Sequence, residues 1–344
     1  MSFKVTVQSS HHEFTVAEGQ TILDAALDAG IVLPYSCRDG ACSTCKGKVV
    51  SGTYDAGHCP AQILSPEDLA AGYTLFCQAR PSSDLVIEAQ EIRMASDIQI
   101  RKMPSRVMGL DRVGGDVAIV SLQLPPADPL HYYAGQYLQF ILKDGRRRSY
   151  SMANPPSETN LVELHIRHMP GGAFTDRVFG VDPAPLKIRE ILRVEGPFGS
   201  FFLREDSDKP IVFVASGTGF APIKAIIERM AANGNVRPAT LYWGGRRPAD
   251  LYMHDKAQEW AGTLPGFTYI PVVSDAEPED AWQGRTGFVH RAVMEDFPDL
   301  SGHQVYACGA PVMVNAARTD FTHERGLPET EFFADAFISD ADIA

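Results

Sequence analysis

Four cysteines constrain this chain more than any other feature. Cys37 and Cys42 have four residues between them, Cys42 and Cys45 have two, and Cys77 follows after thirty-one more. This C-x4-C-x2-C…C spacing is the one with which four thiolates hold a [2Fe-2S] cluster. Three of the thiolates must then approach a small anionic cluster from one loop. The residues between them, Arg38-Asp39-Gly40-Ala41 and Ser43-Thr44, are mostly small, so backbone N–H groups can point at the sulfurs and Gly40 relieves the crowding. The rival is a structural zinc site that recruits His58 or Cys59. Zinc motifs come mostly as paired C-x2-C units, and here there is one such pair. Cys59 is surplus to a four-thiolate site.

Length and charge narrow the setting. With 344 residues the chain exceeds the size at which one core keeps growing, so two or three domains are expected. The formal charge of -12, from 31 Lys+Arg against 43 Asp+Glu, lacks the concentrated basic surface that a nucleic-acid partner requires. Arg146-Arg147-Arg148 is a basic run that follows Asp144-Gly145, as a solvated turn would. The opening MSFKVTVQSSHHEF has no secretory apolar stretch, and no apolar run approaches the ~20 residues of a membrane span. A cytoplasmic monomer with no membrane or nucleic-acid partner is expected. In that reducing compartment the six cysteines are metal or catalytic groups rather than a disulfide framework.

Patterning divides the chain in three. Alternating runs at 4–8 and 13–16 read as a hairpin, and Ile22, Leu23, Ala26 and Leu27 as a helix with Thr21 as N-cap and Gly30 as stop. A polar stretch around 94–103 ends this unit. Strand-like runs at 117–124, 137–142, 161–167 and 191–194, set between Pro/Gly turns, read as an antiparallel barrel. The charged segment 204–210 is a second boundary. Beyond it come an apolar strand at 211–215, a turn at Gly217-Thr218-Gly219, a helix at 222–232 and apolar runs at 240–243, 267–273, 305–308 and 331–337. That rhythm is an α/β parallel sheet. The expected class is α+β multidomain, with domains at 1–95, 102–204 and 208–344.

Arg148-Ser149-Tyr150-Ser151, followed by Met152-Ala153-Asn154-Pro155-Pro156, resembles the R-x-Y-S flavin motif of the ferredoxin-NADP reductase superfamily. A guanidinium can pair with a pyrophosphate, a tyrosine ring can cover a flavin, and a hydroxyl can bond a ring nitrogen. The resemblance gives these roles to Arg148, Tyr150 and Ser151, with Ser149 between them. In the run from His165 to Thr175, two glycines precede a short helical stretch at 174–179, whose free N–H groups would face phosphate. It resembles the family's second pyrophosphate motif, and Arg167, Gly171, Gly172 and Thr175 are its candidate FAD residues; the alternative is a plain turn. Gly196-Pro197-Phe198-Gly199 resembles the turn that closes the family's flavin barrel. No histidine has ligand spacing, and none is assigned to catalysis.

Gly217-Thr218-Gly219-Phe220-Ala221-Pro222 follows a strand and opens a helix, the context of a dinucleotide turn. It lacks the third glycine of the Rossmann fingerprint, but G-T-G-x-A-P is the superfamily's form, so Gly217, Thr218, Gly219 and Pro222 are candidate binding residues. Cys308-Gly309-Ala310-Pro311 resembles the family's C-G-x-P segment, which implies Cys308 beside the nicotinamide with Gly309 and Pro311 shaping the turn; an inert buried thiol is the bland alternative. Phe332-Phe333-Ala334-Asp335-Ala336-Phe337 resembles the family's acidic-x-aromatic ending, with Phe337 against the flavin and Asp335 where glutamate is commoner. Arg246 and Arg247 suit a 2′-phosphate, whereas Asp250-Leu251-Tyr252 resembles oxygenase reductases that use NADH. NADH is expected, with NADPH the alternative.

The first ninety or so residues resemble a plant-type ferredoxin domain of β-grasp fold with Cys37, Cys42, Cys45 and Cys77 as ligands. They carry 6 Lys+Arg and 11 Asp+Glu, a net of -5, which suits docking to a positive redox partner or serves solubility alone. The order ferredoxin, FAD, NAD is similar to reductase components of benzoate-type dioxygenases, soluble methane monooxygenase and a CDP-6-deoxyhexose dehydrase system. The strings RSYSMANPP, HIRHMPGG and GTGFAPIK resemble the branch of terephthalate dioxygenase reductase and CDP-6-deoxy-3,4-glucoseen reductase. The resemblance implies a Greek-key β-barrel for FAD and electron flow from NADH through FAD and [2Fe-2S] to an acceptor protein. Ser151 and Cys308 would flank the hydride transfer, with Phe337 yielding its place and Asp335 nearby. A Rieske dioxygenase that hydroxylates aromatic rings is the first acceptor; the dehydrase or a di-iron monooxygenase are alternatives. A stand-alone NADH oxidase or flavin reductase and a zinc-stabilised interaction module are the remaining readings.

Overall fold

The computed structural model describes residues 1–40, 42–61, 63–90 and 98–337. The chain packs as two compact units, Met1–Ala95 with Ala334–Ala344, and Ser96–Phe333.

In the first unit a five-stranded sheet runs in the order Glu13–Ala17, Ser2–Val7, Leu85–Glu88, Lys46–Ser51, Tyr73–Leu75. Phe14 and Val16 alternate into the core with Val5 and Val7, as period-two strands demand. Against them packs the helix Ile22–Asp28, which buries Ile22, Leu23, Ala25 and Ala26. Its expected ends are in place: the Thr21 hydroxyl accepts the Asp24 N–H at 3.2 Å, and Gly30 takes the left-handed conformation, φ +76°, just past the last turn. The loop from this helix to Lys46–Ser51 carries three of the cysteines, and Cys77 follows Tyr73–Leu75. The Phe76 N–H donates to the Cys45 carbonyl at 3.0 Å, bringing the fourth cysteine back to the loop.

The first part of the second unit is an antiparallel sheet ordered Arg147–Ser151, Tyr137–Ile141, Ile191–Phe198, Arg101–Val113, Val117–Gln123, Leu161–Arg167. A bridge between Met152 and Leu164 links its two edges. Val107, Leu122, Leu138, Leu164 and Ile166 are fully buried on its inner face, each stabilising the fold by ~1.5–3 kcal/mol. One expectation changes here. The stretch expected as a linker at 94–103 is already strand from Arg101, where Arg101–Met103 ladder with Val194–Gly196; its residues 94–97 lie outside the described residues. In the basic run the turn is Asp144-Gly145, Arg146 folds back on Asp144 at 2.7 Å, and Arg147 pairs with Glu195. Those carboxylates answer two of the three charges, and Arg147–Ser151 ladders with Tyr137–Ile141.

In the remainder, Arg285–Thr286, Phe267–Val273, Ala239–Gly245, Ile211–Ser216 and Gln304–Gly309 pair parallel in that order, with Phe332–Ala336 at the edge. Ile211 to Ala215 are at most 1% exposed, as a central strand covered on both faces must be. Helices Phe220–Ala232, His254–Thr263, Val289–Asp296 and Pro311–Glu324 alternate with these strands. Among the described residues no helix is long and apolar enough to cross a membrane.

Candidate redox centre and nucleotide sites

Cys42, Cys45 and Cys77 are buried and Cys37 half-buried. Their thiols stand as two pairs: Cys45 Sγ lies 3.2 Å from Cys77 Sγ, and Cys37 is hydrogen-bonded to Cys42. The hydrogen bond within each pair pulls one thiol down, Cys42 to about 6 and Cys77 likewise below its ordinary value. The same bonds, with burial, push Cys37 and Cys45 up. Two irons held by four cysteines take two apiece, and the pairing supplies that division. Among the described residues no three His, Cys or carboxylate groups are placed to hold a single metal ion.

The loop around them is shaped for this. Arg38, Gly40 and Ser43 all have positive φ, and a Cβ on Gly40 would lie 2.9 Å from the His58 carbonyl oxygen. The expected backbone donor is present, Asp39 N–H to Cys37 Sγ at 3.4 Å; Ala41 lies outside the described residues. Gln78 is a site residue that the spacing did not signal. Its amide reaches Cys77 Sγ at 3.7 Å and the Arg38 carbonyl at 3.4 Å, tying the fourth ligand to the loop. Cys59 donates its thiol to the Ala56 carbonyl at 3.3 Å and belongs to neither pair. In the same unit, Asp335 is buried and accepts from the Ser36 hydroxyl, Thr44 donates to the Ala334 carbonyl at 3.4 Å, and Phe337 is half-buried.

In the second unit the R-S-Y-S run lies on the edge strand Arg147–Ser151. Arg148 and Tyr150 alternate with Ser149 and Ser151, of which Ser151 is buried. Tyr150 meets Phe140 and Phe174 at 5.7 and 5.6 Å between ring centroids, and those two rings stack at 4.5 Å. This aromatic trio brings the two motifs of the flavin reading together, since Phe174 follows Gly171-Gly172-Ala173. The helix there is shorter than the sequence suggests, Thr175–Val178, and the Thr175 hydroxyl turns back to donate to the Met169 carbonyl at 2.8 Å. The Gly171 N–H already has an anionic partner, the Asp176 carboxylate at 3.1 Å, itself bonded to His168 at 2.9 Å. The turn thus holds an anionic oxygen on a backbone N–H, beside the guanidinium, ring and hydroxyl of the R-S-Y-S strand.

The dinucleotide turn Gly217–Gly219 forms one turn of 3-10 helix between Ile211–Ser216 and Phe220–Ala232, and Pro222 is buried in that helix. Its neighbour is the C-G-x-P segment: Ala215 pairs with Cys308, and the Ser216 hydroxyl accepts the Ala310 N–H at 2.9 Å. Cys308 and Gly309 are buried and Pro311 opens the helix Pro311–Glu324. Trp243 is a further residue missed by motif reading. Its indole N–H donates to the Gly217 carbonyl at 3.0 Å while its ring stacks on Phe220 at 3.9 Å. The Arg167 guanidinium covers the turn, so close that a Cβ on Gly217 would lie 2.8 Å from Nη1. At the far end Asp250 accepts the Arg246 and Arg247 N–H groups at 2.7 and 3.0 Å, and Arg247 is paired with Asp280 and Glu277.

Between these motifs lies a buried polar cluster. Glu163 Oε1 is 2.8 Å from His165 Nε2 and 3.1 Å from Lys224 Nζ, and His165 Nδ1 is 2.7 Å from the Tyr252 hydroxyl. Burial pushes His165 down, so the ring is neutral. It donates from Nε2 to the carboxylate and accepts the tyrosine proton at Nδ1. Burial raises Glu163, but the His165 hydrogen bond and the Lys224 charge outweigh it and hold the carboxyl at about 2. The stabilisation, about 3 kcal/mol at most, is complete above the unfolded value near 4.5 and lost as pH falls from there towards 2. Urea unfolding of Glu163→Gln should therefore show a shallower loss of stability between pH 5 and 3 than the parent; an equal slope would contradict this account.

Three family descriptions match along the chain: a 2Fe-2S iron-sulfur cluster binding domain at residues 5–82, an oxidoreductase FAD-binding domain at 105–203 and an oxidoreductase NAD-binding domain at 213–319. The chain is 44% identical over 338 residues to the CDP-6-deoxy-L-threo-D-glycero-4-hexulose-3-dehydrase reductase of Yersinia pseudotuberculosis, covering 98% of this chain and 99% of that one. It is 37% identical to reductase component 1 of the terephthalate 1,2-dioxygenase of a Comamonas species, covering 98% of each. The crystal structure of an Amycolatopsis cytochrome P450 reductase superposes with a TM-score of 0.75 at 35% identity, covering 97% of this chain and 98% of that one. The chain belongs to the family of reductases, akin to ferredoxin-NADP reductase, that carry ferredoxin, FAD-binding and NAD-binding domains together. It is an NAD(P)H oxidoreductase that uses FAD and a [2Fe-2S] cluster and serves as an electron-transfer reductase.

Proposed function

We propose that this reductase takes electrons from NADH and delivers them singly, through the cluster on Cys37, Cys42, Cys45 and Cys77, to a separate terminal oxygenase that hydroxylates aromatic rings. The observation that carries the reading is the division of four thiols into two pairs on a chain that also holds both nucleotide motifs. FAD, when bound, converts the two-electron hydride of a nicotinamide into single electrons for an iron-sulfur centre. Arg148, Ser149, Tyr150 and Ser151, with Arg167, Gly171, Gly172 and Thr175, bind and orient it. Gly217, Thr218, Gly219 and Pro222, with Gly309 and Pro311, hold the dinucleotide, and Cys308 and Ser151 line the transfer site. Asp335 and Phe337 close the C-terminal side. The modules run 1–95 in a β-grasp fold, 102–204 as a Greek-key barrel, for which the Met152–Leu164 bridge between edge strands speaks, and 208–344.

NADH is the donor because the Arg247 guanidinium at the adenosine end is already engaged, paired with Glu277 and Asp280. Asp250 takes the backbone N–H groups of Arg246 and Arg247, and a 2′-phosphate would have to displace or face these carboxylates. The double variant Glu277→Gln/Asp280→Asn should raise kcat/KM for NADPH relative to NADH by about tenfold. An unchanged ratio in steady-state cytochrome c reduction would remove this basis for the preference.

A second acceptor class is favoured by one observation, the 44% identity to the hexulose dehydrase reductase against 37% to the terephthalate dioxygenase reductase. NADH-driven turnover with each purified acceptor separates them. Substrate hydroxylation by a ring-hydroxylating oxygenase supports the first reading; turnover by a CDP-hexulose dehydrase alone overturns it in favour of the second.

A further inference from the structure

We propose that Glu163, His165, Lys224 and Tyr252 form an interlock that fixes the register between the segment after the R-S-Y-S strand and the dinucleotide turn, making them positioning residues for flavin reduction. The proposal rests on the reading of function above. Glu163, His165 and Arg167 alternate along Leu161–Arg167, so their side chains share one face of that strand. Each meets groups from beyond residue 215.

Glu163 is held from both sides. Its backbone carbonyl accepts the Ala153 N–H at 2.7 Å and its own N–H donates to Asn154 Oδ1 at 2.7 Å, two and three residues past Ser151. Its carboxylate takes Lys224, five residues past Gly219. The Lys224 ammonium is buried and its three protons are all accounted for: the Ala153 carbonyl at 3.0 Å, Glu163 at 3.1 Å and Glu228 at 3.0 Å. The second branch runs from His165 to the Tyr252 hydroxyl. The Tyr252 ring stands edge-on to Trp243 at 5.3 Å, and the Trp243 indole holds the Gly217 carbonyl. Hydrogen bonds thus run from Ala153 to Lys224 in the helix that follows the dinucleotide turn, and a second route through His165, Tyr252 and the Trp243 ring contact reaches Gly217.

Stability alone does not account for such a cluster. A buried ion pair is commonly no more stabilising than well-packed apolar residues of the same volume. Apolar contacts allow two surfaces to slide, whereas a lysine with three acceptors and a neutral imidazole with one donor and one acceptor fit a single register. Hydride transfer depends on such a register, and a displacement of about 1 Å can cost ~100-fold in rate.

The double variant Glu163→Gln/Lys224→Met removes the pair and leaves no charge alone but that of Glu228, whose side chain is 25% exposed. In anaerobic stopped-flow the limiting rate of flavin reduction by NADH should fall by about tenfold or more, with the apparent Kd for NADH within about twofold of the parent. Flavin content should be unchanged, and dithionite-reduced enzyme should pass electrons to cytochrome c at the parental rate. Hydrogen exchange on FAD-free protein should show the amides of 153–154 and 217–220 losing protection together. Tyr252→Phe should shift the limiting rate in the same direction by a smaller factor, and Lys224→Arg should restore most of it. A parental limiting rate in the double variant, or a fall that only follows lost flavin, overturns the proposal. If the parent enzyme's flavin is not reduced by NADH at all, the functional reading itself fails.

Discussion

Cys42→Ala should leave the chain able to oxidise NADH with ferricyanide while its reduction of cytochrome c falls below about one per cent of the parent, because three thiolates cannot complete a four-thiolate cluster. The flavin should stay bound, since the R-S-Y-S strand and the Gly171 turn belong to the second compact unit and Cys42 to the first. Ferricyanide draws its electrons from the reduced flavin, so that activity reports the nucleotide sites alone. Cytochrome c reduction reports the cluster as the exit for single electrons. The paired variant Cys59→Ala is the control: its thiol bonds to the Ala56 carbonyl, belongs to neither pair, and should change neither assay. Full retention of cytochrome c reduction in Cys42→Ala would make the cluster a bystander and favour a stand-alone flavin reductase. A colourless parent protein would revive the zinc module.

What the sequence made legible is what short-range chemistry dictates. The four-cysteine spacing identifies a cluster because one loop must present three sulfurs to one small object, and the Thr21 cap and Gly30 stop obey rules confined to a single turn. The strand Leu161–Arg167 is where its alternation puts it. Other elements hide because long-range partners decide them. Arg147 is a strand residue through Glu195, forty-eight positions away, and no local pattern announces that pairing. The helix His254–Thr263 buries only Ala257 and Trp260, too few to mark a face in sequence. The same holds at the site. Gly217-Thr218-Gly219 could be read as a turn, but the indole that grips it comes from Trp243, and the carboxylates that engage Arg247 come from Glu277 and Asp280. The Glu163 to Tyr252 cluster is invisible for that reason too, each member being unremarkable in its own segment.

Gly219→Ala should slow flavin reduction by NADH by about a hundredfold, although the backbone there is one that alanine adopts freely, with φ −58° and ψ −14°. Space is what forbids it. A Cβ at this position would lie 2.1 Å from the Cys308 carbonyl oxygen, 2.4 Å from its carbon and 2.7 Å from the Gly309 Cα. All three are backbone atoms, so no side chain can swing aside. The strands cannot part either, since Ile211–Ser216 and Gln304–Gly309 are paired up to Ala215 and Cys308, at the roughly 4.8 Å spacing of a sheet ladder. The turn itself must move, by about the 1 Å that costs ~100-fold in a transfer between positioned groups. The cluster is in the other unit, so dithionite-reduced enzyme should still reduce cytochrome c at the parental rate, and flavin content tells whether the second unit has survived. Reduction at the parental rate with flavin intact would mean that the dinucleotide does not rest on this turn, and the nicotinamide site would have to be sought elsewhere along the sheet.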